Sequence, residues 1–146
     1  TRNRPECRNI QAVVSNAPGT AVYREFGGSL CGHSGLLSSR DAMQWTRLLR
    51  DHPNAKYMDH ILHVRTLPDI LKELGTLLTI DVFILDVEGA ELTILSSFNF
   101  SVAVVHAWII ESNKIDRDQL EVVMSRGGYN CFHKIINSYC RHESMF

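Results

Sequence analysis

Two acids with one residue between them, Asp86 and Glu88, close the apolar run Ile80-Asp81-Val82-Phe83-Ile84-Leu85, and Gly89 follows them. A second apolar run, Val102–Ile110, closes at Glu111-Ser112-Asn113. Alternate residues of an extended chain share a face, so Asp86 and Glu88 can address one side of a strand end. Gly89 leaves room beside them, and a helix starting near Ala90 would point unpaired backbone N–H groups the same way. Carboxylates so placed can bind an amine or hydroxyl, accept a proton or hold a metal ion. The plainer alternative is that they cap that helix and bond to neighbouring backbone. Glu91, already inside the helix, reads as solvated or salt-bridged. His106 reads as a satisfied core histidine, and Trp45 and Trp108 as core. No Ser/His/Asp or Cys/His arrangement follows from spacing.

The elements that must carry these acids form a strand–helix–strand unit. Ile80–Leu85 is short and rich in β-branched residues, as a strand buried on both faces of a parallel sheet is. Leu92, Leu95 and Phe98 recur at helical spacing and supply one stripe to cover that sheet. Two adjacent strands ending in acids at one edge make a polar cleft, and in open α/β sheets ligands bind outside such carboxyl ends.

Around that unit, Ile10–Ser15 reads as a strand closed by the turn Asn16-Ala17-Pro18-Gly19, and Ala21–Phe26 as a second strand. The glycine-rich stretch Gly27–Gly35 matches no nucleotide-binding fingerprint and reads as a mobile surface loop. Ser38 or Ser39 can cap a helix over Arg40–Arg50, and Ile61–Val64 is strand-like. Thr66 with Asp69 forms a capping box for a helix carrying Leu67, Ile70, Leu71 and Leu74, which Gly75 stops. Asp116 caps a helix through Ser125, ending at Gly127, and Tyr129–Ile136 with Tyr139–Arg141 suggests a hairpin turning at Asn137-Ser138.

A chain of 146 residues suits a single domain, 1–146. With 45% apolar residues and a formal charge of −1 it gives no electrostatic reason to expect nucleic acid or an anionic membrane as partner. No apolar run approaches the roughly 20 residues of a transmembrane helix, and Thr1–Ile10 does not look like a signal peptide. Composition leaves the oligomeric state open. The four cysteines allow two bridges or none. Cys31-Gly-His33, Cys131-Phe-His133 and Cys140-Arg-His142 repeat one pattern that could ligate zinc from a strand, although structural zinc sites space their ligands further apart.

Asp86-Val87-Glu88-Gly89-Ala90-Glu91-Leu92 after an apolar strand, preceded by Thr66-Leu67-x-x-Ile70-Leu71, resembles the FkbM family of S-adenosylmethionine-dependent methyltransferases. So do Ile110-Glu111-x-Asn113, Gly128-Tyr129, Ala12-Val13-Val14-Ser15 with Pro18-Gly19, and Asn3-Arg4. The likeness is nearest to the animal branch and covers roughly Asn3 to Tyr129. It implies an α/β fold: a Rossmann-like methyltransferase sheet, mostly parallel, with a C-terminal antiparallel hairpin. The chain corresponds to the latter part of the family domain, lacking the first strands, the glycine-rich cofactor loop and the ribose-binding acid. The resemblance implies S-adenosylmethionine as cofactor, with Ser15 and Asn16 near its adenine. Asp86 and Glu88 would be the catalytic pair, and Glu111 and Asn113 would meet the substrate, a hydroxyl of a small molecule or glycan. No metal is required by that scheme. Leu85 stands where many members carry Lys, and Asn137–Cys140 where an acid is common.

Two other readings compete. Phe83–Gly89 resembles the Asp-x-Asp-Gly strand of haloacid-dehalogenase phosphohydrolases, but with Glu88 and Ala90 where Asp and Thr are usual. A methyltransferase-like domain without catalysis, surviving as an interaction module, is the other.

Overall fold

The computed structural model describes residues 7–39, 42–75, 78–87 and 89–145. Over these residues the chain runs through β1 (Val13–Ser15), β2 (Gly19–Phe26), β3 (Gly35–Leu36), α1 (Ala42–Asp51), β4 (Tyr57–Thr66), α2 (Leu67–Leu74), β5 (Leu78–Leu85), α3 (Glu91–Ser96), β6 (Ala103–Glu111), α4 (Arg117–Ser125), β7 (Tyr129–His133) and β8 (Asn137–His142). The strands form two four-stranded sheets, ordered β1-β4-β2-β3 and β5-β6-β8-β7.

The central strand–helix–strand unit is as expected: β5 and β6 are parallel neighbours, with Leu85 opposite Ile110. The expected mostly parallel sheet is not. Only β1·β4 and β5·β6 pair in parallel, whereas β2·β3, β2·β4, β6·β8 and β7·β8 are antiparallel. The helix between β5 and β6 carries the chain back for parallel entry, whereas the three residues between β7 and β8 permit only a return in the opposite sense.

One core serves the second sheet. Leu67 and Leu71 of α2, Ile94 and Leu95 of α3, and Leu120, Val123 and Met124 of α4 pack with Leu85, Val105, Trp108, Ile110 and Tyr129. Val14 of β1 reaches the same cluster, which ties the two sheets together. Trp108 is fully buried and ringed by Phe83, Phe98, Phe100 and Tyr129, at centroid distances of 4.5 to 6.4 Å. Its indole N–H has no hydrogen-bond partner among the described residues. On the first sheet Phe26 and Trp45 stack, and Arg24 lies 4.1 Å over the Tyr57 ring while its guanidinium grips Asp59 at 2.8 and 2.7 Å.

Contrary to expectation, β5 and β6 are not buried on both faces: Val82 and Ile84 of β5 and Val104 of β6 are more than half exposed. The interior side also changes phase midway. Leu78 and Ile80 face the core before Asp81, Phe83 and Leu85 after it; on β6 Ala103 and Val105 give way to Trp108 and Ile110. The register passes over Asp81 and His106 at that level, and their side chains meet at 3.5 Å. His106 is therefore a half-exposed partner of an acid and not a core histidine.

Local punctuation follows the sequence closely. The Thr66 hydroxyl accepts from the Asp69 N–H, and Asp116 accepts from Asp118 and Gln119. Gly75 ends α2 at φ 148°, where a side chain would be strained. Gly28–His33, expected to be a mobile loop, winds as a 3₁₀ helix, and Leu37–Ser39 does the same ahead of α1. Arg40, where that helix was expected to begin, lies outside the described residues. The hairpin turns at Lys134–Ile136, not at Asn137-Ser138, because Ser138 belongs to β8 and is bound inside the sheet. Cys131 and Cys140 sit opposite each other on that hairpin and form a disulfide, so two of the three Cys-x-His pairs contribute no thiolate.

Candidate functional site

Parallel pairing of β5 and β6 delivers both carboxyl ends to one edge. Asp86 follows the last residue of β5, and Glu111 is the last of β6. One carboxylate oxygen from each, together with one from Glu91, lies within 4.8 Å of the other two. Asp86 is exposed, Glu111 half-buried and Glu91 buried.

Glu91 is where the residues mislead. Expected to be solvated or salt-bridged, it is 1% exposed, and its Oε1 accepts the Val87 N–H at 3.0 Å and the Gly89 N–H at 3.2 Å. The loop between β5 and α3 thus folds over its own glutamate, with Gly89 at φ 105° allowing the reversal. Two loop amides just ahead of α3 are consumed in this way. A glutamate in the first helical turn after a glycine loop is the signal that was there to read, since it can reach back to preceding N–H groups as a capping-box acid does.

Three carboxylates this close repel. At 4.8 Å each pair of full charges costs roughly 1 kcal/mol under water-like screening and roughly 3.5 kcal/mol at the effective dielectric typical of a protein surface. The two amides offset this at Glu91. Asp86 and Glu111 keep an edge that can accept from a hydroxyl or ammonium donor or meet a cation, and among the described residues these three acids are the group that could hold a metal ion.

Of the other expected site residues, Asn113 is exposed two residues beyond Glu111. Glu88 lies outside the described residues. Ser15 and Asn16 belong to the first sheet, at the end of β1, where the Ser15 hydroxyl donates to Asn16 Oδ1 at 3.3 Å. The structure therefore gathers Asp86 and Glu111, adds Glu91, and leaves Ser15 and Asn16 on the other sheet. Between Glu111 and Asn113 stands Ser112, named at that strand end but given no role there: it is 2% exposed, and its hydroxyl takes a hydrogen bond from Ser138 at 2.7 Å. Open hollows of about 550 and 520 Å³, one beside Gly27–Leu30 and one on the outer face around Val82 and Phe132, both lie away from the three acids. No helix among the described residues is long and apolar enough to cross a membrane.

An α/β chain with acids at the carboxyl ends of adjacent parallel strands is a form in which group-transfer enzymes are built. Compared with known families, residues 1–137 match the one described as Methyltransferase FkbM domain. The chain belongs to that methyltransferase family. No curated protein and no solved structure matches it.

Proposed function

We propose that this chain is the latter portion of an S-adenosylmethionine-dependent O-methyltransferase acting on a hydroxyl of a small molecule or glycan. The observation that carries the reading is the convergence of Asp86 and Glu111 at one sheet edge in a member of the FkbM family. In this scheme Asp86, with Glu88 two residues further along the sequence, accepts a hydrogen bond from the acceptor hydroxyl and takes its proton as that oxygen is methylated. S-adenosylmethionine, when bound, would supply an activated methyl group with a neutral thioether as leaving group, so the residues of this chain would act mainly by aligning the acceptor. Glu111 and Asn113 fix further hydroxyls of the acceptor. Glu91 shapes the loop that carries Asp86. Ser15 and Asn16, at a strand end and rich in hydrogen-bonding groups, take the adenine.

Calorimetry with S-adenosylhomocysteine tests the cofactor assignment. Saturable one-to-one binding is expected, on this chain or on a form extended at its front. Binding by neither would sink the reading and leave an interaction module in its place.

A further inference from the structure

A chain of polar side chains runs through the second sheet to the acidic edge. The Glu121 carboxylate on α4 meets His133 Nε2 at 2.8 Å, and His133 Nδ1 meets the Ser138 hydroxyl at 2.6 Å. Ser138 donates to Ser112 at 2.7 Å, and Ser112 donates through its hydroxyl to the Ile136 carbonyl at 3.3 Å and through its N–H to the same oxygen at 2.7 Å. Exposure falls along the way, from a half-exposed Glu121 to fully buried Ser138 and Ser112. A buried serine is costly unless its hydroxyl is bonded, so each link of this chain favours the position of the serine it reaches.

The far end of the chain lies beside the acids. Ser112 follows Glu111 directly, and Glu111 pairs with Asn137 in the β6–β8 ladder. The turn at Lys134–Ile136 is gripped from two sides: Ser112 bonds Ile136, and Arg117 of α4 donates to the carbonyls of Lys134 and Ile135. We propose that Glu121, His133, Ser138 and Ser112 are positioning residues, a hydrogen-bonded strut that fixes the end of β6 and with it the direction of the Glu111 side chain toward Asp86. The geometric claim is independent of the activity; its functional meaning rests on the methyl-transfer reading.

The test uses the free, isotope-labelled chain and reads the Glu111 χ1 rotamer from three-bond couplings to Cγ, with amide exchange as a second observable. The native chain is expected to hold Glu111 in one rotamer. His133→Phe and Ser138→Ala should set it averaging and speed exchange of the Ser112 N–H about 10-fold or more, with Val105 and Tyr129 amides unchanged. His133→Gln, which keeps a hydrogen-bonding partner for Ser138, should retain the native rotamer. Glu121→Gln, a surface change that keeps the fold, should loosen Glu111 partway. A Glu111 that averages in the native chain, or keeps one rotamer in folded His133→Phe, Ser138→Ala and Glu121→Gln, overturns the proposal. So does loss of order seen only alongside global loss of protection. Failure to bind S-adenosylhomocysteine bears on the methyl-transfer reading alone, because the couplings are read without ligand.

Discussion

Glu91 and Asp86 are neighbours in space with opposite burdens. Glu91→Ala would remove the acceptor of two part-buried loop N–H groups and leave a gap where a buried side chain stood, and we expect it to cost about 1–3 kcal/mol in urea unfolding. Asp86→Asn touches an exposed group in a repelling cluster and should leave stability within about 0.5 kcal/mol. The acids Asp86 and Glu111 were legible because their placement depends only on where two strands stop. Glu91 and Ser112 were not, since burial of a carboxylate or hydroxyl is decided by partners that a linear pattern does not display. A second titrating feature lies on the other sheet. The hydrogen bonds from Arg24 hold the Asp59 carboxyl below its ordinary 3.8, and the guanidinium charge acts in the same direction against desolvation. A depressed folded value means the pair's stabilisation is whole above 3.8 and is lost as pH falls through the lower folded value. In calorimetric scans, the gap in thermal midpoint between the native chain and Asp59→Asn should accordingly persist at neutral pH and close only in strongly acidic solution.

At the level of elements, helix ends were the most readable features. Thr66, Gly75 and Asp116 act within a few residues of themselves, and each ends or starts its helix where the sequence put it. The hairpin turn was misplaced because Asn137-Ser138 has the composition of a turn, while the bonds of Ser138 to His133 and Ser112 draw it into a strand. Long-range bonding overrode local preference there. The outer face of β5 was misjudged for a related reason: Val82 and Ile84 suit a strand whether or not anything covers them. The Cys131–Cys140 bridge had no signature beyond spacing, and its strands had to be paired before it could be inferred. It closes a nine-residue separation, so loop-closure entropy predicts that reduction by a dithiol costs about 2.5 kcal/mol. Guanidinium unfolding with and without reductant measures that loss, and β7–β8 amides should lose protection first.

For the molecule as a whole, the strand–helix–strand unit of β5, α3 and β6 could be read from period and length alone, and it is the part that bears the site. What could not be read is the division into two sheets joined through Val14 and α2, since strand order depends on contacts between distant segments. The expected parallel sheet carried over from a resemblance, and short connections at the hairpin made much of it antiparallel. The account turns on whether the edge holding Asp86 and Glu111 receives a hydroxyl for methylation. The most direct measurement is transfer of a labelled methyl group from S-adenosylmethionine to hydroxyl-bearing small molecules and glycans, comparing the native chain with Asp86→Asn and Glu111→Gln. We predict transfer by the native chain and a fall of about 100-fold or more in Asp86→Asn, with unchanged affinity for S-adenosylhomocysteine. Full activity in Asp86→Asn, with the labelled product still formed on a hydroxyl, would contradict it.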